Sequence, residues 1–541
     1  MEKKEVVSYL MERGLLLSPD FLHSLPDQVD LITLLQQLQQ TFPHQPLFLN
    51  KDLHLLLSTQ NQPSLDVNWQ EFERSRSLFE KGKNTLVYHS FLDLLQQAPT
   101  LQTSVGAMQQ QVHLPTSYIP GTIKILYSYD RPAAKREVQD FVSYFRNRYE
   151  GLRNILLQRI ELQESSSLSR IKKKPEGEKI SLIGMIVSKS ETKNGNIMLT
   201  LEDPTDRLQV LINKSKEDLF KAGQDLVHDE VIGVTGVLGK NIVFCNDLYH
   251  PDIPLHHELK KSPDEVYALF ISDIHFGMKQ FLKDDFVKFA KWLHGEYGNP
   301  QQREIAKKIK YLFVVGDVVE GIGIYPGQEH DLELTDIYAQ YQMAADYLKL
   351  LPPHLQIIVC PGNHDAVRIA EPQPVIDPKY AAPLYALPNV VMVSNPAWIN
   401  IHASPGFPGF DVLLYHGYSL THFADVVPSI RSKGGQDRCD LILKFLLQRR
   451  HLAPSHGSNL YMPDAKEDPL IIDRVPDIFV TGHIHRIIAS MYRNVNLINS
   501  SCWVTQTENQ AKRGIVPHPA KIPLLNLQTR EVRILNFRTD A

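Results

Sequence analysis

At 541 residues the chain is too long for one hydrophobic core, which predicts two to four domains. Its 43% hydrophobic content is that of a globular protein, and 57 Lys and Arg against 61 Asp and Glu exclude a uniformly basic nucleic-acid coat while leaving room for a local basic groove. Cys245, Cys360, Cys439 and Cys502 lie far apart without a Cys-x-x-Cys, which argues against a disulfide scaffold or a thiolate zinc finger and for a reducing compartment. Met1–Glu5 has no apolar stretch behind it, so no signal peptide is expected. No run approaches the ~20 apolar residues of a membrane span. These features predict a soluble, cytoplasmic protein with no membrane partner.

Residues 1–60 read as a helical module. Val6, Val7, Leu10 and Met11 fall at helical spacing, Leu31 to Leu38 repeats the pattern, and Ser18-Pro19-Asp20 is a helix start. Residues 61–120 are rich in Gln and Ser with scattered Pro and read as a linker or loosely ordered segment. In 121–175 a strand at Ile123 to Tyr127 precedes an amphipathic helix from Lys135 to Ile160. Val138, Phe141, Val142, Phe145, Tyr149, Leu152, Ile155 and Leu156 share one side of it. Ser165 to Ser167 and the basic run Arg170 to Lys174 then predict a hinge.

Residues 176–252 turn to β. Strands fit 180–187, 197–201, 208–212, 231–237 and 241–244, with Asn194-Gly195 as a hairpin turn and a short helix over 214–222. Five strands with a helix between the third and fourth is the order of an OB-type β-barrel. Its strands carry almost no aromatic residue apart from Phe244, which favours a structural or subunit-contacting barrel over a free-standing single-strand binder.

From 265 to 541 apolar strands alternate with helices, the pattern of a layered α/β domain. Five of the strands end in polar groups: Asp273-Ile274-His275, Gly316-Asp317, Asn363-His364-Asp365, His416-Gly417 and His483-Ile484-His485. Ligands bind at the carboxyl ends of strands in α/β sheets, so these groups can converge. The Asp-x-His and His-x-His spacings predict alternate residues of an extended segment on one face, two side chains gripping one ion. Asn363 is an oxygen ligand, His364 a proton donor or transition-state contact, and Asp365 the group expected to fix its tautomer. Asp, Asn and His without Cys suit Mn²⁺, Zn²⁺ or Fe, with Mg²⁺ as a further alternative, and the set is too rich in nitrogen for Ca²⁺. Seven candidate ligands exceed the need of one ion. Two divalent ions ~3.5–4 Å apart, bridged by Asp317, would clamp a phosphodiester.

The order D-x-H, G-D, G-N-H-D, H-G, G-H-x-H resembles the calcineurin-like metallophosphoesterase superfamily over roughly 270–500. That resemblance implies an α/β phosphoesterase sandwich over 265–541. It implies Asp273, His275, Asp317 and His485 at one metal and Asp317, Asn363, His416 and His483 at the other, with His364 as the catalytic imidazole beside Asp317. Val318-Val319 replace the third polar residue that many relatives carry after the Asp, and Glu320 follows directly. The barrel ahead of such a domain, the segments Asp317 to Gln328, Gly362 to Arg368 and Glu371 to Pro374, and the helix from Asp140 to Arg148 together resemble the small subunits of archaeal family D DNA polymerases. The eukaryotic counterparts have lost the metal ligands, whereas this sequence keeps them. The resemblance therefore implies a 3′→5′ proofreading exonuclease. Its partners would be a large catalytic polymerase subunit in a heterodimer, a DNA primer–template and, as an open possibility, a sliding clamp.

A stand-alone phosphodiesterase needs neither barrel nor helical module, and a non-catalytic scaffold has no reason to hold seven ligands. Arg368, Arg486 and Lys433 are candidate DNA-phosphate contacts, Arg368 foremost. His422, His451 and His456 are not expected to be ligands.

Overall fold

A computed structural model describes residues 122–539, apart from 133 and 513, together with Leu16–Leu17 and Phe48–Leu49, which pair as parallel strands. The rest of the helical reading of 1–60 and the linker reading of 61–120 lie outside the described residues; the paired dipeptides themselves are extended.

Strand β1 (Ile123–Ser128) is followed by helix α1 (Val138–Leu156). Strands β2 (Lys179–Glu191), β3 (Ile197–Glu202), β4 (Arg207–Ile212), β5 (Val231–Gly239) and β6 (Ile242–Tyr249) close a barrel in the order β2-β3-β4-β6-β5, with α2 (Glu217–Gln224) between β4 and β5. Alternation along the strands sends Leu199, Leu201, Val210, Ile212, Val234 and Val243 into its core. The expected hinge is part of this core instead. Leu168 and Ile171, one helical turn apart, are both fully buried against the barrel, and the basic residues around them pair outward, Lys172 with Asp206 and Lys174 with Glu178.

The following part contains two six-stranded sheets. The first has the order β10-β9-β8-β7-β16-β17, built from β7 (Tyr267–Ile271), β8 (Ile309–Val315), β9 (Gln356–Cys360), β10 (Val390–Met392), β16 (Lys521–Asn526) and β17 (Val532–Asn536). The second has the order β14-β15-β13-β12-β11-β1, with β11 (Ala397–Ile401), β12 (Phe410–Leu414), β13 (Ile478–Thr481), β14 (Ile488–Tyr492) and β15 (Val495–Asn499). Alternate residues of both sheets, among them Phe270, Phe313, Ile358, Ile399, Val412 and Val480, share one buried core. The opposite faces pack on helices. Leu269, Leu312 and Ile357 meet α3 (Lys283–Leu293) and α5 (Ile337–Leu348), while Leu413, Phe479 and Leu497 meet α6 (Cys439–Arg449). The short α4 (Pro300–Lys307) precedes β8 and opens on an Asn299–Gln302 capping box. The result is four layers: helix, sheet, sheet, helix.

Helix α1 departs from its expected stripe. Tyr149, Leu152 and Leu156 pack on the barrel, but Val138 is 81% exposed, and Phe141 and Val142 are also exposed. The buried position one turn before Leu152 belongs to Arg148. Its Nε lies 2.8 Å from Asp468 Oδ2, and its Nη1 donates to the Pro454 carbonyl at 2.8 Å. A second buried ion pair, Arg449 Nε to Glu230 Oε2 at 2.9 Å, joins α6 to the barrel. Among the described residues no helix is long and apolar enough to cross a membrane.

Candidate metal centre

Strands β7, β8 and β9 are parallel neighbours in one sheet, and β12 and β13 are parallel neighbours in the other. Their carboxyl ends deliver Asp273 and His275, Asp317, Asn363 and His364, His416, and His483 and His485 to one place. Donor atoms of Asp273, His275 and His485 lie within 4.8 Å of one another, as do those of Asp317, His416 and His483. Asn363 Oδ1 is 3.1 Å from His416 Nε2, and His275 Nε2 is 3.3 Å from His485 Nε2. All seven expected ligands therefore meet, in two adjoining groups.

The local backbone differs from the extended segments expected. Asp273, His275, Asp317, His483 and His485 all have positive φ, between 49° and 67°. Each motif is a tight turn. Ile274 and His275 donate their amides to the Asp317 carbonyl, and Ile484 N–H reaches the Gly482 carbonyl at 2.8 Å. The turn separates His483 from His485, so the pair serves two groups rather than one ion. Two glycines admit the crowding. A Cβ on Gly316, at φ +81°, would strike His416 Nδ1, and one on Gly362 would strike Asp317 Oδ1.

The donor chemistry fits cations. His416 Nδ1 lies 2.9 Å from the Val315 carbonyl, which can only accept, so Nδ1 carries the proton. In the neutral ring a bare Nε2 then faces Asp317 Oδ2 at 3.3 Å and Asn363 Oδ1 at 3.1 Å. Lone pairs converging on one point need a proton or a cation between them. With a proton, burial is outweighed by Asp317, and His416 is pushed up to about 10. Burial, reinforced by His416, pushes His483 down to about 3, leaving it a neutral donor. Burial alone would raise both carboxyls. His485 beside Asp273 and His416 beside Asp317 nevertheless hold them below the usual carboxylate range.

His364 sits at the edge of this cluster, half-buried. Asp365 does not hold it. The Asp365 carboxylate accepts from the amides of Gly362 (2.9 Å), Val318 (3.2 Å) and Val319 (3.3 Å) and from the Tyr341 hydroxyl (3.1 Å). It is the staple of its own turn. The residue that the sequence marked without assigning it this role is Glu320, 1% exposed. Its carbonyl accepts from His364 Nδ1 at 2.9 Å, and its Oε2 lies 3.4 Å from the same nitrogen and 2.7 Å from His275 Nδ1. Gln328 Nε2 (2.9 Å) and the Tyr325 hydroxyl (3.1 Å) hold its other oxygen. Its signal was visible: an acid three residues after a strand-end Asp. Burial works against charge on His364, but Asp317 and Glu320 outweigh it and push the imidazole up to about 9.

The expected DNA contacts are engaged elsewhere. Arg368 lies over the Tyr129 ring at 5.1 Å and donates from Nε to the Pro372 carbonyl at 2.9 Å, so it fastens its own loop. Arg486 Nε pairs with Asp437 Oδ1 at 2.9 Å, whereas Lys433 is exposed. His451 is buried against Asp468, His456 contacts Tyr461, and His422 lies edge-on to Phe423; none joins the cluster.

The family of DNA polymerase alpha/epsilon B-subunits matches residues 269–488, and the family described as OB-fold nucleic acid binding domain matches residues 180–247. The chain is 38% identical over 398 residues to a DNA polymerase II small subunit of Methanothermobacter thermautotrophicus, covering 73% of this chain and 79% of that one. It is 38% identical to the Pyrococcus furiosus protein of that name over 74% of this chain and 64% of that one, so about a third of the Pyrococcus chain lies outside the match. The Archaeoglobus fulgidus protein of that name is 36% identical over 72% of this chain and 76% of its own length.

Proposed function

The chain belongs to the family of DNA polymerase II small subunits, and on that premise we propose that it is a metal-dependent 3′→5′ exonuclease that proofreads for a separate, large polymerase subunit. The observation that carries the reading is the meeting of two donor groups and an imidazole nitrogen, His364 Nε2, with no hydrogen-bond partner among the described residues, an arrangement we read as a calcineurin-like phosphoesterase site. Asp273, His275, Asp317 and His485 would hold one ion and Asp317, Asn363, His416 and His483 the other. Mn²⁺ is the first candidate, with Zn²⁺, Fe or Mg²⁺ as alternatives. Two such cations supply charge neutralisation at a phosphodiester and acidify an attacking water near neutral pH.

The remaining work falls to the chain. His364 is held at Nδ1 by Glu320, which leaves Nε2 to carry a proton toward the substrate. As water adds to phosphorus and the P–O3′ bond breaks, Nε2 gives that proton to the departing 3′ oxygen, releasing a 5′-mononucleotide. Glu320 holds the ring and stabilises its charged form. The Val318 and Val319 amides, stapled by Asp365, fix the turn that carries Asp317. The primer–template is the substrate, the large subunit supplies synthesis, and a sliding clamp is a further partner to test.

The test is degradation of a 3′-mismatched primer–template in Mn²⁺ by the chain and by Asp317→Ala and His364→Ala. Mismatch-preferring release of single nucleotides, lost in both variants, supports the reading. Hydrolysis of small diesters without DNA degradation would replace it with a stand-alone phosphodiesterase. No hydrolysis with or without a polymerase subunit, and no bound metal, would leave a scaffold.

A further inference from the structure

Four tyrosines surround the metal centre, and three have their hydroxyls tied to acidic groups. Tyr325 donates to Glu320 Oε1 (3.1 Å) and Asp331 Oδ2 (2.9 Å), Tyr341 to Asp365 (3.1 Å) and Tyr415 to Glu371 (3.1 Å). The fourth, Tyr418, has no hydroxyl partner among the described residues. It stands two residues after His416, half-buried, with its ring centroid 5.5 Å from that of His483.

The backbone fixes where this ring stands. Gly417 has φ +113°, and a Cβ there would strike Leu420. Its carbonyl accepts from Leu420 N–H at 3.0 Å, and on the other side Ser419 N–H reaches the Tyr415 hydroxyl at 3.2 Å. Tyr418 is therefore the unattached residue of a turn fastened on both sides. With its Cα placed by the backbone and its ring packed against His483, the side chain has less freedom to lose when a flat partner arrives. On the opposite side of the centre, Tyr325 is already committed to Glu320 and Asp331, with its ring 6.4 Å from that of His364. Both rings are half-buried, but the Tyr325 ring adjoins His364, the candidate proton donor, whereas the Tyr418 ring adjoins His483 among the candidate ligands.

We propose that the Tyr418 ring is the stacking platform for the terminal base of the strand whose last phosphodiester sits at the metal centre. This rests on the exonuclease reading above and adds the subsite that grips the substrate by a base rather than by phosphate. Every base has a π-face, so such a platform is sequence-tolerant and selects an unpaired end over a stacked, paired one.

The test compares wild type with Tyr418→Ala and Tyr418→Phe on two primers, one ending in an unpaired normal nucleotide and one ending in an abasic tetrahydrofuran nucleotide. On the normal end, Tyr418→Ala should raise KM about tenfold, the weight of one base–aromatic stack, with kcat little changed, and Tyr418→Phe should restore it. On the abasic end, wild type and Tyr418→Ala should be equal. An equal loss on both ends, or weaker metal binding by Tyr418→Ala, would mean that the ring only props His483, and would overturn the proposal. So would an unchanged KM on the normal end. A wild-type chain inert on both primers, with and without a polymerase subunit, would remove the exonuclease reading, and this subsite with it.

Discussion

Glu320→Gln separates the group that supports the candidate catalytic imidazole from the one that merely follows it in sequence. Glu320 Oε2 stands 2.7 Å from His275 Nδ1 and 3.4 Å from His364 Nδ1, so one buried charge supports a candidate ligand and the candidate proton donor. Glutamine keeps the shape and the Glu320 carbonyl contact but removes the charge. Loss of a carboxylate behind a metal-binding histidine lowers metal affinity or activity about 10–100-fold, or about 1.4–2.7 kcal/mol. Asp365→Asn should act differently. Four donors converge on Asp365, and an amide cannot accept from all of them, so the variant should lose about 1–3 kcal/mol of stability. The assay is Mn²⁺-dependent hydrolysis of a DNA 3′ end, paired with thermal melts of both variants. Glu320→Gln should melt near wild type and turn over slowly; Asp365→Asn should melt early and keep most of its turnover at low temperature. The reverse pattern would refute the assignment.

Gly362→Ala places a methyl group against Asp317 Oδ1 and should abolish Mn²⁺ binding by calorimetry while circular dichroism stays native. Arg148→Met leaves the buried Asp468 carboxylate to His451 and the Leu470 amide and should cost about 3 kcal/mol in urea unfolding, more than a surface ion pair. His451 accepts the Ala453 amide at Nδ1, and burial, with Arg148 adding, pushes it down to about 4. Its folded value lies below the unfolded ~6.5, so its contribution is present above pH 6.5 and lost as pH falls through 4, up to about 3 kcal/mol. Melts across that window should slope less in His451→Gln; an unchanged slope would exclude this source. Mn²⁺ at a hundred times its Kd should raise stability by about 2.7 kcal/mol, seen as a higher Tm that Asp317→Ala removes.

What could be read from the sequence follows physical lines. Strands β3 and β4 alternate, and tight turns join β2 to β3, β3 to β4 and β5 to β6, so the barrel order was readable. Strands β7, β8, β9, β12 and β13 were readable as apolar runs because sheets covered on both faces leave no polar alternation. Strands β11, β14, β16 and β17 carry no comparable unbroken apolar run. Met491 and Ile534 put apolar side chains outward, and Pro523 sits inside β16, which blurs any pattern. Helix α1 misled for a related reason: its apolar stripe continues past the end of its packing surface, while its deepest position is an arginine. The candidate ligands were legible because they stand at strand ends. Their supports were not, since sequence proximity suggested Asp365 for a task that the fold gives to Glu320, 44 positions before His364 and on the neighbouring strand end.

The construction of the centre also bears on the scaffold alternative. Five of the seven candidate ligands sit at positive φ, a conformation that costs a non-glycine residue on the order of 1 kcal/mol or more. Asp273 and Asp317 are both buried, and each raises the charging cost of the other. Gly316 and Gly362 give up side chains to admit them. A chain whose only task was to hold partners together would gain from replacing these groups with apolar residues, since a buried charge cluster is seldom more stable than a packed core. Nine other described non-glycine residues also have positive φ, but at this centre five such residues are candidate ligands gathered in one place, while the sheet cores behind them are ordinary Val, Ile, Leu and Phe packing. Strain on neighbouring donors is what a cation site needs, because ligand geometry has to be imposed before the ion arrives.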